Sequence, residues 1–220
     1  MQPPTGGADT FSAVQPLLTG AAINNSGSLE VQASTLNGLS TPVLRAAATS
    51  NAAKYTVIQA LAAQGYTVGA GATVNQQLNA TVNITGNITN PLGNDYAGIA
   101  AQVGFTRFLD PTFDLINTAL AFALLDENAV SFESTIDGPV NFSLPTSITV
   151  NPGEQFYLVA FLSASAGDAG GVADAMNTLT VRFDAPSAAV ISPAAVPLPA
   201  PFLLMLSVIA LRGLQLSPQR

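Results

Sequence analysis

Carboxylates dominate the chemistry available to this chain, because its 220 residues include no histidine and no cysteine, and its one lysine is Lys54. Without imidazole or thiol groups, the chain cannot form a Ser-His-Asp or Cys-His catalytic group, or an ordinary zinc, copper or haem site. Carboxylate-based hydrolysis, as in glycosidases, and a Ser-Lys pair around Lys54 remain as catalytic chemistries. The composition therefore excludes most classes of hydrolase and metalloenzyme.

Two groups of acidic residues are the candidates for that remaining chemistry. Asp168 and Asp174 flank a Gly-Gly pair in a predicted loop, where carboxylates and backbone carbonyls can coordinate Ca²⁺; the alternative is a solvated hairpin loop. Four further acids lie around one predicted strand and turn: Asp126, Glu127, Glu133 and Asp137. Acids near turns are usually polar loop residues, and the chain has no tryptophan to stack on a sugar. We therefore predict no catalytic residue, no required cofactor and no enzymatic activity.

The charge of the chain limits its partners. The formal net charge is −7, and charged residues make up 9% of the chain. Nucleic acid is excluded as a partner because phosphate binding requires a positively charged face. Amide and hydroxyl side chains replace charges on the predicted surface, which suits a hydrated polysaccharide environment and also many other secreted proteins.

Alternating hydrophobicity predicts the elements that position these residues. Residues 77–85 alternate apolar and polar side chains, and so do residues 99–105. A period of two residues is typical of a strand with one buried face. Further strands are predicted at 118–125, 130–134, 140–144, 147–150, 155–163 and 177–183, separated by Gly, Pro and Asn. This pattern predicts a mainly β fold, an antiparallel β-sandwich of the jelly-roll-like kind.

Three further predictions concern segments of the predicted sandwich domain, residues 1–192. The Ala-rich stretch at about 43–64 has apolar residues at roughly helical spacing, so we predict one or two helices that end at Gly65. Arg107, after the 99–105 run, is predicted to be structural. The uncharged segment from Asn79 to Asn90 has high β-propensity, and it would promote association if it formed an exposed edge.

Residues 193–220 form a second predicted unit with an apolar run. Pro197 and Pro199 lack amide donors, so a helix should begin near Pro201 and end near Leu211. This short membrane helix consists mainly of Phe202, Leu203, Leu204, Met205, Leu206, Val208, Ile209 and Leu211. A full membrane span requires about 20 apolar residues, so the run is a marginal anchor. The basic residues that follow it, Arg212 and Arg220, would hold that end on the cytoplasmic side.

This tail resembles the C-terminal sorting signal of PEP-CTERM proteins in its VPLPA variant. A pentapeptide, an apolar run and a terminal Arg occur in that order at the C-terminus. The residues that match the sorting motif are Val196, Pro197, Leu198, Pro199 and Ala200. Residues 147–183 are also similar to the final hairpin of many PEP-CTERM ectodomains, with a Pro-Gly turn before a long apolar strand and an Asn-Thr pair before the last one.

The resemblance implies an exported protein of the cell envelope or the exopolysaccharide matrix. An exosortase, a membrane-embedded enzyme, would recognise the motif, cleave nearby and release the domain from a transient inner-membrane anchor. The role would be structural or adhesive at the cell surface or in a biofilm. Export would require a secretory leader upstream of Met1, because no basic and apolar leader precedes Arg45. The alternative is a carbohydrate-binding β-sandwich module whose loops hold a glycan, with or without Ca²⁺.

Overall fold

The computed structural model describes residues 17–23, 27–36, 39–50, 56–90, 97–107, 127–167, 170–176, 179–184 and 190–194. The secondary structure of these residues consists of twelve β-strands. The first six are β1 (Leu17–Ile23), β2 (Gly27–Leu36), β3 (Leu39–Thr49), β4 (Thr56–Val68), β5 (Gln76–Thr89) and β6 (Ala97–Thr106). The other six are β7 (Glu127–Ser134), β8 (Gly138–Val150), β9 (Gln155–Ala166), β10 (Val172–Asp174), β11 (Leu179–Phe183) and β12 (Ile191–Ala194).

The strands form two antiparallel sheets, which we call sheet A and sheet B. Sheet A has the order β1-β4-β9-β6-β7, and β12 pairs with β4 beyond the end of β1. Sheet B has the order β2-β3-β11-β5-β8, and the short strand β10 also lies between β3 and β5. The sheets face each other through contacts that include β3 with β4, β3 with β9 and β7 with β8. The fold is therefore an antiparallel β-sandwich, as the alternating sequence pattern predicts.

An aromatic cluster joins the two sheets in the core. The ring of Tyr66 stacks on Phe156 with 5.3 Å between centroids and meets Phe183 edge-on at 5.3 Å. Phe105 packs against Phe156 and Phe183. Burial raises the pKa of the Tyr66 phenol far above its ordinary value, so this hydroxyl stays neutral. Because the rings come from β4, β6, β9 and β11, the cluster fixes both sheets against each other.

The strands predicted from alternation are confirmed where the structure describes them. Strand β5 alternates buried with exposed or half-buried residues over most of its length, as a strand with one face in the core does. In β6 the predicted inward residues Ile99, Ala101, Val103 and Phe105 are buried. The predicted strands 140–144 and 147–150 are one strand, β8, which continues through Pro145. Proline is tolerated there because, among the strands that the structure describes, β8 is the last of sheet B and its outer edge is free. The predicted strand at 118–125 lies outside the described residues.

The helical prediction for residues 43–64 is wrong where the structure describes this segment. Residues 43–49 belong to β3, and residues 56–64 belong to β4. In β4 the inward residues Ala60 and Ala62 are buried, and so are the outward residues Leu61 and Ala63. A strand that is buried on both faces has a continuous apolar sequence without alternation, and such a run cannot be told from a buried helix by periodicity.

The predicted C-terminal unit lies largely beyond the described part of the chain. The sorting motif, the apolar run, Arg212 and Arg220 are all outside it, and the apolar C-terminal helix stays a prediction. Within the described residues, no helix has the length and hydropathy that a membrane span requires.

Candidate functional site

The outer side of sheet B presents a flat array of polar side chains. Because side chains alternate along a strand, the odd-numbered residues of β5 and β8 point away from the core. On β5 these residues are Gln77, Asn79, Thr81, Asn83, Thr85, Asn87 and Thr89, and all are exposed or half-buried. The even-numbered residues between them, such as Leu78 and Val82, are buried in the core. The alternation in the sequence therefore divides β5 into one core side and one polar side.

The register of three strands places this array in rows. Arg182 of β11 lies opposite Thr81, and Thr81 lies opposite Pro145 of β8. In the next row the backbone N–H of Asp184 donates to the carbonyl oxygen of Asn79 at 3.1 Å, and Asn79 lies opposite Ser147. Neighbouring strands are about 4.8 Å apart, and alternate residues along a strand are about 7 Å apart. These spacings bring a guanidinium, a carboxylate, amides and hydroxyls onto one surface.

We call this surface the polar face. Its members are Gln77, Asn79, Thr81 and Asn83 of β5, Ser143, Ser147 and Thr149 of β8, Thr180 and Arg182 of β11, and Asp184. The Nε2 group of Gln77 donates a hydrogen bond to the Oγ atom of Ser147 at 3.2 Å. In the described part of the chain, the side chains of Asn79, Arg182 and Asp184 make no hydrogen bond or ion pair with one another or with other residues. Their donors and acceptors are therefore available to a ligand.

A cleft of about 500 Å³ adjoins the polar face. Its lining comes from β5 (Asn79, Ala80 and Thr81), from β8 (Pro145, Thr146 and Ser147), from β7 (Ala129 and Val130), and from Asp184. Further along the two strands, the rings of Phe132 of β7 and Phe142 of β8 pack with 4.4 Å between centroids.

The free edge of β8 carries two prolines. Pro139 and Pro145 lack N–H groups, so these residues fit in a strand where no donor to β5 is required. At these two positions an N–H group would point away from β5 toward the free edge. Its absence weakens pairing of that edge with another strand. Strand β5 itself, which includes the uncharged segment from Asn79, is hydrogen-bonded on both sides and is not an edge.

The acidic residues singled out in the sequence do not form one centre. Asp174 accepts a hydrogen bond from the backbone N–H of Met176 at 2.9 Å, which stabilises the turn after β10, and Asp168 lies outside the described residues. Asp137 accepts a hydrogen bond from the N–H of Asn90 at 2.7 Å and fixes the end of β5. Glu133 instead lines a cleft of about 240 Å³ on sheet A. Among the described residues, no group of three possible metal ligands occurs, and the Ca²⁺ site stays a prediction.

Arg107 has a structural partner at one end of the sandwich. Its Nε atom donates to Glu154, and its Nη2 atom donates to the carbonyl oxygen of Thr149 at 2.7 Å. Glu154 also accepts a hydrogen bond from the N–H of Asn151 at 2.8 Å. Burial acts to raise the pKa of Glu154, but the bonds from Arg107 and Asn151 outweigh it and lower the pKa below its ordinary value. This network closes the β8–β9 turn.

Sequence reasoning missed Arg182 and Asp184 as members of the candidate site. The alternation of β11 does place Arg182 on the outer side, and the exposed Asp184 follows directly after the strand. However, their position beside Asn79 depends on the pairing of β11 with β5, and these strands are about 100 residues apart in the chain. A hydrophobic pattern gives the face of a strand but not its neighbour.

Comparison with known proteins leaves the family of the chain open. No protein-family model and no curated protein matches the sequence. One similar solved structure is the enzymatically active domain of bacteriophage CBA120 tailspike protein 4, at 11% identity and a TM-score of 0.31. That match covers 86% of this chain and 21% of the tailspike chain, so the chain corresponds to about a fifth of that protein. Another is TmCBM61 in complex with β-1,4-galactotriose, at 11% identity and a TM-score of 0.31, covering 71% of this chain and 87% of that one.

Proposed function

We propose that this protein is a carbohydrate-binding β-sandwich and that its polar face binds the hydroxyl groups of a neutral polysaccharide. The observation that carries the proposal is the array on sheet B in which Asn79, Arg182 and Asp184 are exposed and have no partner among the described residues. This site differs from the loops that the sequence suggested as the glycan contact.

The chemistry of the polar face suits sugar hydroxyls. Amide, hydroxyl, guanidinium and carboxylate groups together supply donors and acceptors, and each sugar hydroxyl requires both. Hydrogen bonds to the charged ends of Arg182 and Asp184 would be the strongest of these contacts. The array extends over several rows of β5 and β8, so it fits an extended polymer better than a compact small molecule.

The charge of the protein favours a neutral polymer. The net charge of −7 would repel uronate or sulfate chains, and the polar face itself holds one positive and one negative side chain. We therefore expect binding that depends little on salt, because few ion pairs would form with the ligand.

We propose further that the protein is exported and acts as a structural or adhesive component of the cell envelope or exopolysaccharide matrix. The support is the sequence from Val196 to Ala200 with its apolar run and Arg212, which resembles an exosortase signal. Replacing Pro197 and Pro199 should leave the precursor uncut in the inner membrane. Intact mass would report this, and normal processing of the variant would contradict the sorting proposal.

Binding is tested by affinity electrophoresis in gels that contain xylan, glucomannan or galactan as neutral probes and alginate as an anionic probe. Wild-type protein should be retarded by at least one neutral polymer and not by alginate. Asp184→Ala and Arg182→Ala should each weaken binding about ten-fold or more, since a charge-assisted hydrogen bond contributes about 1.5–3 kcal/mol.

The control variant for this experiment is Asn141→Ala. Asn141 is an exposed amide on the outer side of β8, three rows from Ser147, and should leave binding unchanged. Equal retardation of all four proteins would show that the polar face is not the binding surface. No retardation of the wild type by any polymer would contradict the function itself.

A further inference from the structure

The cleft beside the polar face is lined in part by small aliphatic side chains, which the polar face lacks. We infer that this cleft receives a methyl-bearing substituent of the bound glycan, either an O-acetyl group or the methyl of a 6-deoxy sugar. The inference rests on the proposed function, because it assigns the decoration of the same ligand.

The cleft and the polar face are continuous. Asn79, Thr81, Ser147 and Asp184 belong to both, and Pro145 lies between Thr81 and the free edge of β8. A polymer held on the face would therefore pass the mouth of the cleft. The cleft volume of about 500 Å³ falls within the range of small-molecule pockets, about 300–1,000 Å³.

The remaining walls of the cleft are small and aliphatic. Ala129, Val130 and Pro145 supply methyl and methylene groups, and none of the described residues that line the cleft is aromatic. A flat sugar ring is usually bound through its C–H face by a flat aromatic ring, which these walls do not provide. Small aliphatic walls instead contact a methyl group on several sides, and burying apolar surface there is favourable by about 25 cal/mol per Å².

The charges of the cleft select against anionic decorations. Asp184 is the one charged residue among the described residues that line it. A pyruvate, sulfate or uronate group near this carboxylate would be repelled. An acetyl ester or a 6-deoxy methyl group is neutral, and the carbonyl of the ester can also accept a hydrogen bond from the Asn79 amide.

The test compares one polymer with and without its acetyl groups. Isothermal titration calorimetry with O-acetylated glucomannan and with the same polymer after mild alkaline deacetylation would measure the contribution of the ester. A rhamnose-rich neutral polymer would serve as the 6-deoxy arm. We expect wild-type protein to prefer one methyl-bearing polymer over the deacetylated one by about four-fold or more, because burying a methyl-sized group contributes about 0.8 kcal/mol or more.

A cleft-filling variant gives the second readout. Ala129 is exposed on β7, so Ala129→Leu can narrow the cleft without entering the core, and it should abolish the preference while keeping affinity for the deacetylated polymer. Ser131→Leu is the matched control, because Ser131 is exposed on the same strand but does not line the cleft, and it should keep the preference. Equal binding of all polymers by the wild type would overturn the cleft assignment and leave the polar face as the site. Binding of none of them would overturn both.

Discussion

The outer sides of the two sheets differ although both sheets are antiparallel. On sheet A the outward residues Leu61, Ala63, Val159 and Phe161 are 4–7% exposed. On sheet B the outward residues Asn79, Arg182 and Asp184 are exposed. Sheet A is therefore buried on both sides at the centre of β4 and β9, whereas β5, β8 and β11 of sheet B have one core side and one side that faces solvent. The exposed side of these three strands carries the polar face that we propose binds a ligand.

The difference between the two outer sides predicts a large loss of stability when an aromatic residue is removed from sheet A. Phe161→Ala removes a ring from the outer side of sheet A, and we expect a loss of about 3–5 kcal/mol in the free energy of unfolding, as for a core aromatic residue. Asn79→Ala on the outer side of sheet B is the control and should change stability by about 0.5 kcal/mol or less. Urea denaturation measures both, and similar small losses would mean that the outer side of sheet A is surface.

A second variant tests the core side of sheet B directly behind the polar residues. A Cβ atom at Gly86 of β5 would approach the carbonyl oxygen of Asp174 at 2.6 Å and Cδ1 of Ile99 at 2.8 Å. Gly86→Ala should therefore destabilise the protein by about 1–3 kcal/mol through overpacking.

The control for that variant is Gly71→Ala, because a Cβ atom at Gly71 meets no atom within 4 Å. Thermal unfolding should show a lower Tm for Gly86→Ala and an almost unchanged Tm for Gly71→Ala. If both variants kept the wild-type Tm, the two sheets would be less closely packed behind β5 than the structure indicates.

The smallest expected change in stability is the pH-dependent contribution of Glu154, which lies in the β8–β9 turn at one end of the sandwich. Because the pKa of Glu154 is lower in the folded protein, its contribution to stability is present above the ordinary Glu value of about 4.3 and is lost as the pH falls through the folded value. Glu154→Gln should cost about 0–1 kcal/mol at neutral pH, as expected for a partly exposed ion pair. In urea denaturation, the difference from wild type should disappear at acidic pH; a difference that stayed constant would exclude a contribution from the ionised carboxylate.

The sequence predicts the two sheets unequally well. Strand β5 is identified by its alternation because one side faces solvent, and the same pattern places Asn79 on the outside. Strands β3 and β4 are missed because the Ala-rich run is buried on both sides of β4, which removes the alternation that distinguishes a strand from a helix. The candidate site is predicted only in part, since the approach of Arg182 and Asp184 to Asn79 depends on long-range strand pairing.

We propose that the polar face of sheet B, and not sheet A, binds a neutral glycan. The most direct measurement is an amide chemical-shift titration of the ¹⁵N-labelled protein with a neutral oligosaccharide of the polymer that retards it most. We predict shifts that cluster at residues 77–83, 143–149 and 180–184. Shifts centred on the sheet A cleft around Gln102, Ser131 and Glu133, or no shifts at saturating ligand, would contradict the claim.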